Sequence, residues 1–163
     1  MKKILFLAII SIISCQSRRY ADVQRYPLTV NSSTNKVEWS GKLELPSKSK
    51  EDIYNGLMAW TVKQSEPMDV LLKDNTSGTF KAKTKITYLD AKRNPVKGFC
   101  DISLVAKNGE LEYVITNVYM KRHPLELFYT KEKKDDINDL NPVFESIDES
   151  MKNIVNQITA SIE

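Results

Sequence analysis

Apolar and polar residues alternate along much of the chain, and this period of two predicts half-buried β-strands. The alternating stretches are residues 37–45, 79–90, 99–107 and 110–121. A further short strand is predicted at residues 68–74, where an apolar run precedes a turn sequence. Asn108-Gly109 separates the last two alternating stretches and predicts a type I′ hairpin turn.

The phase of each alternation predicts which side chains face the core. The residues predicted to face inward are Phe80, Ala82, Thr84, Ile86 and Tyr88 in one strand, Cys100, Ile102, Leu104 and Ala106 in the next, and Leu111, Tyr113, Ile115 and Tyr119 in the last. The residues predicted to face outward include Lys81, Lys83, Lys85, Phe99, Val105, Val114 and Val118. The sheet is therefore predicted to have one buried face and one polar face with apolar members.

In the segment between the first two predicted strands, the apolar residues recur with helical spacing instead. Ile53 and Leu57 stand four residues apart and mark an apolar helix face. Ser49 followed by Asp52 predicts a capping box at the start of this helix. Gly56, in the middle of the helix, is expected to permit a close approach to the sheet.

A second helix is predicted at the C-terminal end of the chain. Asn141 followed by Pro142 predicts its start, with the asparagine as N-cap and the proline at the first helical position. An apolar stripe then follows at three- and four-residue spacing. It consists of Val143, Ile147, Met151, Ile154, Ile158 and Ile162.

The predicted order of elements is β-α-β-β-β-β-α, and it defines an α+β fold. Two amphipathic helices need an apolar surface, and the buried face of an antiparallel sheet provides it. We therefore predict an antiparallel sheet of about five strands with both helices packed on one face. Residues 36–163 are expected to form this single domain, and residues 122–140 show no clear period.

The N-terminus has the pattern of a bacterial lipoprotein signal peptide. Lys2 and Lys3 precede an uncharged apolar run at residues 4–13, which is shorter than the roughly 20 residues that a membrane-spanning helix needs. The run leads into Ile-Ile-Ser-Cys, which resembles a lipobox, so Cys15 is predicted to carry diacylglycerol and further acyl chains such as palmitate. An ordinary signal peptide with a chance cysteine, or a buried N-terminal strand, is the alternative.

This interpretation predicts both the division of the chain and its location. The expected parts are a signal peptide at 1–14, a lipidated N-terminus and tether at 15–35, and the domain at 36–163. Gln16 follows the cysteine where enteric-type retention in the inner membrane uses aspartate, so we expect an outer-membrane anchor that faces the periplasm. Removal of Lys2 and Lys3 lowers the formal charge from +3 to +1, which argues against a nucleic-acid partner.

A strand that ends in Pro46, a helix that carries Tyr54 and Trp60, and the later segment NGELEYVITN follow one another within about residues 36–121. This order and spacing resemble a family of bacterial envelope lipoproteins that is known only as a domain of unknown function with a TBP-like fold. The resemblance implies the same order of strands and helices as the periodicity. It implies no activity, because a fold does not carry a function by itself.

The sequence offers little catalytic chemistry. It contains one histidine, His123, and it lacks the common zinc, nucleophile-elbow and phosphate-loop motifs. The most specific enzyme hypothesis is a nucleophilic Cys100 paired with His123. However, Cys100 lies in the apolar phase of its strand, and with Cys15 lipidated it has no disulfide partner, which favours a place in the core. We therefore expect no enzymatic activity and no cofactor.

Acidic residues cluster before the last helix. Asp135, Asp136 and Asp139 are suitable calcium ligands by type, but their spacing does not fit an EF-hand loop, and no glycine stands at the required turn. A solvated loop explains them better, so no metal is predicted.

The outward face of the sheet is the candidate site for a partner. It combines Lys81, Lys83 and Lys85 with Phe99, Val105 and Val114. For the lysines, a solvated face, cross-strand pairs with Glu110 or Glu112, or protection against edge aggregation is a better explanation than a docking surface for an anionic partner, and the apolar residues are the more suggestive ones. We expect a lipid-anchored envelope module that binds an envelope protein or polymer without catalysis. The alternative is a small-ligand carrier or enzyme with a pocket between helices and sheet.

Overall fold

The computed structural model describes residues 26–64, 67–120, 123–131 and 137–163, apart from the side chains of residues 127, 130, 131 and 137–139. Along these ranges the elements are β1 (Val30–Asn31), β2 (Lys36–Val37), β3 (Trp39–Glu44), α1 (Lys50–Lys63), β4 (Asp69–Asp74), β5 (Thr79–Leu89), β6 (Pro95–Lys107), β7 (Glu110–Met120), β8 (His123–Pro124), α2 (Leu125–Lys131) and α3 (Ile137–Ile162). The predicted order is therefore present, and β1, β2, β8 and α2 are additions to it.

One antiparallel sheet forms the centre of the fold. Its strand order is β3-β7-β6-β5-β4, and β8 pairs with β7 as a sixth strand, while β1 and β2 form a separate hairpin. The predicted α+β class and antiparallel sheet are confirmed, but the predicted number of five strands is wrong. The added strands have two residues each, which is too short for an alternation to appear in the sequence.

The covered face of the sheet carries the residues that the alternation predicts. The buried residues are Phe80, Ala82, Thr84, Ile86 and Tyr88 in β5, and Cys100, Ile102, Leu104 and Ala106 in β6. The helices α1 and α3 close the core over them with Ile53, Leu57 and Trp60, and with Val143, Ile147 and Met151. Each large apolar side chain that is fully buried contributes about 1.5–3 kcal/mol to stability.

The start of α1 is confirmed, whereas the expected role of its glycine is wrong. Ser49 and Asp52 form a reciprocal capping box, in which each side chain accepts a hydrogen bond from the other residue's backbone amide at 3.1 Å. A Cβ at Gly56 would lie 2.9 Å from Ile162 Cα and from the backbone oxygen of Ser161. Gly56 therefore allows α1 to approach α3 closely, rather than the sheet.

The predicted start of α3 is also wrong. The helix begins at Ile137, so Pro142 lies inside it and not at its first position. Because Pro142 has no amide hydrogen, the helix loses one backbone bond in its second turn. The side chain of Asn141 does not cap the helix, since its Oδ1 accepts a hydrogen bond from the backbone amide of Tyr26 at 2.8 Å.

The hairpin at Asn108-Gly109 is confirmed, but its predicted turn type is wrong. A type I′ turn needs positive φ at both central residues, and here only Gly109 has it, at 77°. The Asn108 side chain instead accepts a hydrogen bond from the backbone amide of Lys50 at 2.9 Å, at the start of α1. The Gly109 amide donates to the Lys48 carbonyl at 3.0 Å, so the turn is tied to the helix entrance.

A β-bulge in β7 reverses the predicted phase of its last residues. Phe99 pairs with Tyr119, and Asp101 pairs with Thr116, so β7 inserts one extra residue opposite Cys100. Asn117 adopts a φ of 50° at this point.

Two predicted orientations are wrong as a result of this bulge. Val118, which was expected to face outward, is fully buried, and Tyr119, which was expected to face inward, is 37% exposed. Before the bulge the prediction is confirmed for Leu111 and Ile115, which are buried.

The folded domain begins by Tyr26, within the range 15–35 that the sequence predicts to be a tether. The Tyr26 hydroxyl donates to Asp148 Oδ2 at 2.8 Å, and the Tyr129 hydroxyl accepts from the Leu28 amide at 3.1 Å. Leu28 itself is buried in the core. This part of the predicted tether is therefore a structural strap that is fixed to α2 and α3.

Candidate partner-binding face

All six residues that were predicted for partner binding lie on the side of the sheet opposite α1 and α3, which we name the open face. They are Lys81, Lys83, Lys85, Phe99, Val105 and Val114. The strand register places Lys85 opposite Phe99, and it places Ser103 between Lys81 and Val114 in one cross-strand row. Lys81 and Lys85 are exposed, whereas Val105 and Val114 are half-buried.

An aromatic pair lies within the open face. Phe99 on β6 stands directly opposite Tyr119 on β7, and the two side chains are 38% and 37% exposed. The phase of the sequence pattern missed Tyr119, because the bulge at Asn117 is visible only as an asparagine, a residue that tolerates positive φ. Exposed aromatic residues on a rigid strand are typical of protein interfaces, where they provide contact area at low entropic cost.

One end of the open face is an ion-pair network. Lys42 Nζ lies 3.2 Å from Glu110 Oε2 and 3.1 Å from Glu112 Oε1, and Lys107 Nζ lies 2.6 Å from Glu112 Oε1. Hydrogen bonds from Lys107 and Lys42 lower the pKa of Glu112, and the bonds to Glu112 and Glu110 raise the pKa of Lys42. Both glutamates therefore pair with these lysines, and the suggested pairing with the β5 lysines is wrong.

A second polar cluster surrounds the bulge. Asn117 Nδ2 donates to Asp101 Oδ2 at 2.7 Å, and Lys36 Nζ donates to Asn117 Oδ1 at 2.6 Å. Asp101 Oδ1 is buried and accepts no hydrogen bond from the described residues, and the Lys83 ammonium lies 3.8 Å from it. These contacts support the left-handed backbone at Asn117, and Asp101 forms an ion pair with Lys83.

Two of the lysines on β5 have different surroundings. Asp69 stands opposite Lys83 in the register, so Lys83 has carboxylates on both neighbouring strands. Lys81 stands between Leu72 and Ser103, and it makes no ion pair within the described part of the chain. The open face thus offers the Phe99–Tyr119 pair at one end, the lysines of β5 along one side and a neutral ion-pair network at the other end.

The Cys100–His123 pair has little chemical support in this structure. Cys100 is fully buried in the core, and burial, assisted by the neighbouring Asp101 charge, raises the pKa of its thiol to about 12. Such a thiol is not a thiolate near neutral pH, and the thiolate is the nucleophile. His123 is exposed on β8 and packs edge-on against Phe128, with ring centroids 6.1 Å apart. The core position predicted for Cys100 is confirmed.

His123 instead lies at the mouth of a cavity of about 390 Å³ near the turn between β5 and β6. Its walls are apolar and come from Tyr88, Met120, Phe128, Leu140 and Val143. A smaller and more polar cavity of about 220 Å³ lies beside the free part of the β5 edge. There Ser150 Oγ donates to the Thr87 carbonyl at 2.6 Å and covers part of that edge.

Several predicted residues lie outside the described structure. The lipid-attachment residue Cys15 is among them, and so are Asp135 and Asp136, while the side chain of Asp139 is not described. The described residues contain no group of histidine, cysteine and carboxylate side chains that could hold a metal ion. None of the described helices is long and apolar enough to cross a membrane.

No protein-family model matches the chain, and no curated protein matches its sequence. Several solved structures are similar to it, including the following two. A DUF4468 family protein from Bacteroides ovatus ATCC 8483 shares 11% identity at a TM-score of 0.59, over 83% of this chain and 90% of that one. A TBP-like protein from Parabacteroides distasonis ATCC 8503 shares 14% identity at a TM-score of 0.53, over 82% of this chain and 97% of that one.

These similarities confirm the TBP-like fold that the sequence resemblance implied. At 11% and 14% identity they show the fold alone. They assign no activity to the open face or to the cavity beside His123, because one fold serves many functions.

Proposed function

We propose that this protein is a lipid-anchored module of the bacterial cell envelope that binds a partner protein through its open face and has no catalytic activity. The observation that carries the proposal is the exposed Phe99–Tyr119 pair on a sheet face that the long helices leave uncovered. An aromatic cluster surrounded by charged residues is typical of a protein interface.

The charges of the open face favour a particular kind of partner. Lys85 stands opposite Phe99, Lys81 lies four residues away on the same strand, and the network of Lys42 with Glu110 at the other end of the face is neutral. A complementary protein surface would offer an apolar patch to Phe99 and Tyr119 and a carboxylate to Lys81. We therefore favour an acidic protein surface over an anionic envelope polymer, because a polar polymer offers no apolar surface to the two aromatic rings.

The sequence supports the anchor. The apolar run at residues 4–13 and the following Ile-Ile-Ser-Cys favour lipidation at Cys15, and Gln16 favours the outer membrane. One acyl chain gives only marginal membrane binding, whereas two or more hold a protein stably. With the strap fixed from Tyr26 onward, only residues 15–25 would separate the anchor from the domain. The domain would then stay close to the membrane, where an envelope partner is available.

Site-specific photo-crosslinking in intact cells tests the binding face. A photoreactive residue at position 81 of the full-length chain should capture a discrete protein, and the same residue at exposed Glu145 on α3 should not. Phe99→Ala should reduce capture from position 81. Equal capture from both positions, capture that Phe99→Ala does not change, or an adduct that resists proteases would overturn the proposed protein interface.

Intact-mass analysis of the membrane fraction tests the anchor separately. The expected product begins at Cys15 and carries added acyl mass, and Cys15→Ser should leave the chain unprocessed. A chain that still begins at Met1, or a processed chain without fatty mass, would contradict the anchor.

A second function has support from one observation. The cavity of about 390 Å³ beside His123 lies within the size range of small-molecule sites, and its walls are apolar. This favours the alternative of a small-ligand carrier with a site between sheet and helices.

A further inference from the structure

The cavity beside His123 is bounded by residues that are held in place by packing against the core. Tyr88, Met120 and Val143 form its floor, and they are 2%, 7% and 2% exposed, because their other sides belong to the core. Phe128 and Leu140 complete the apolar wall from α2 and α3. A ligand that fills this space would gain apolar burial without first having to order the floor.

The turn between β5 and β6 forms one side of the mouth and is held by its own hydrogen bonds. Asp90 Oδ1 accepts from the backbone amides of Lys92 and Asn94, each at 2.9 Å. The Arg93 amide donates to the Asp90 carbonyl at 2.8 Å, and the Asp90 amide donates to the Asn94 carbonyl at 2.9 Å. Asp90 is therefore used to shape the turn, although it also lines the cavity.

The polar groups at the mouth favour an anion. Lys92 and His123 both line the cavity and are exposed, and the Lys92 ammonium makes no ion pair within the described residues. The ammonium donates hydrogen bonds only, and the imidazole of His123 has at least one N–H donor. Asp90 Oδ1 already accepts two backbone amides, so this carboxylate has less capacity left to bind a ligand than the Lys92 ammonium has.

We propose that this cavity is a binding site for a small amphiphile with an apolar body and a single carboxylate. The body lies against Met120, Leu140 and Val143, and the carboxylate accepts hydrogen bonds from Lys92 and His123. This inference rests on the second candidate function. It is independent of the open face, because none of the cavity residues belongs to the face that carries Phe99 and Tyr119.

Titration of the purified full-length chain with decanoate tests the proposal, with displacement of the fluorescent anion 1-anilinonaphthalene-8-sulfonate as the signal. Decanol and decyltrimethylammonium are the matched neutral and cationic ligands. We expect saturable binding of decanoate, at least about fivefold tighter than that of the other two. The apolar run at residues 4–13 contributes the same background to every variant.

Four variants, one of them a control, locate the site. Lys92→Glu should weaken decanoate binding at least about fivefold, whereas Lys73→Glu, an equal charge change on exposed β4, should not. Leu140→Trp should abolish binding by filling the cavity. If Leu140→Trp does not fold, Ala91→Trp at the exposed turn narrows the same mouth and should weaken binding.

Each contrary result counts against the proposal. The proposal is overturned if decanol binds as tightly as decanoate, or if Lys73→Glu weakens decanoate binding as much as Lys92→Glu does. It is also overturned if neither tryptophan variant changes decanoate binding. Absence of any decanoate binding above the shared background overturns it as well. None of these results bears on crosslinking through the open face, so the two proposals fail separately.

Discussion

The two faces of the central sheet are formed by the same strands but differ in burial, and two phenylalanines show this difference directly. Phe80 on β5 faces the helices and is fully buried, whereas Phe99 on the neighbouring β6 faces outward and is 38% exposed. On the covered face, Thr84 is the one buried polar residue among the described positions. The open face instead places ion pairs and hydrogen-bonded side chains around its aromatic pair.

The difference indicates which physical requirement, stability or binding, accounts for the residues on each face. A buried phenylalanine is explained by the stability of the fold, and no function is needed to account for it. An exposed phenylalanine opposite an exposed tyrosine adds little to stability, and this makes the open face the more informative surface for function. The comparison predicts that substitutions on the covered face lower stability, whereas substitutions on the open face lower binding.

The largest expected effect is that of Phe80→Ala. It leaves a cavity between the sheet and the helices, and a change of this type costs about 3–5 kcal/mol of unfolding free energy. Urea denaturation followed by far-ultraviolet circular dichroism measures the change. A loss below about 1 kcal/mol would mean that the covered face is not a close-packed core.

Gly56→Ala should lower stability by about 1–3 kcal/mol, although alanine is the better helix former by about 1 kcal/mol. The added Cβ would lie 2.9 Å from backbone atoms of Ile162 and Ser161, and backbone cannot move aside as a flexible side chain can. Asn55→Ala, at an exposed position of the same helix, is the control, and it should raise stability slightly. A stabilised Gly56→Ala would contradict the close contact between α1 and α3.

The covered face was predictable from sequence because an alternation that persists over several residues determines the orientation of each one. The prediction succeeded through β5 and β6 and failed at Asn117, where a single inserted residue reverses the phase of all that follow. Nothing in ITNVYM marks this insertion apart from the asparagine itself. The position of Tyr119 on the open face therefore required the structure.

The N-terminal strap escaped prediction for a different reason. The cluster of serine, threonine and asparagine at residues 31–35 is typical of a linker, but it forms the turn between β1 and β2. The contacts that fix the strap, such as that of Tyr26 with Asp148, join residues that are 122 positions apart. Local sequence pattern contains no information on pairs of this kind.

Asp148→Asn should weaken the attachment of the strap and lower stability by about 1–2 kcal/mol at pH 7. Trp39 Nε1 donates to Asp148 Oδ1 at 2.7 Å, while the Tyr26 hydroxyl and the Lys152 ammonium each lie 2.8 Å from Oδ2. Burial alone would raise the pKa of Asp148, but the bonds from Lys152, Trp39 and Tyr26 together bring it below its ordinary value.

The sign of the pH dependence follows from this lowered pKa. The contribution of Asp148 is fully present above the ordinary aspartate pKa of about 3.9, and it is lost as the pH falls through the lower folded value. The stability difference between Asp148→Asn and the unchanged chain should therefore shrink below about pH 4 in urea titrations. Asn153→Ala, an exposed change on the same helix that removes no ionisable group, is the control, and its effect on stability should not shrink in this pH range. A gap that stays constant from pH 7 to pH 3 would contradict the role of the charge.

The smallest expected effect on stability completes the comparison. Phe99→Ala removes a side chain that stands opposite Tyr119 in the register and should cost about 1 kcal/mol or less, because this side chain is partly solvated before the change. The same residue should nevertheless be needed for capture of a partner at position 81. Phe80→Ala should therefore lower stability more than Phe99→Ala does, whereas Phe99→Ala should lower capture with little loss of stability. Urea denaturation and crosslinking of both variants measure this directly. If Phe99→Ala destabilises the chain as much as Phe80→Ala does, the open face is a second packing surface, and its aromatic pair is explained without a partner.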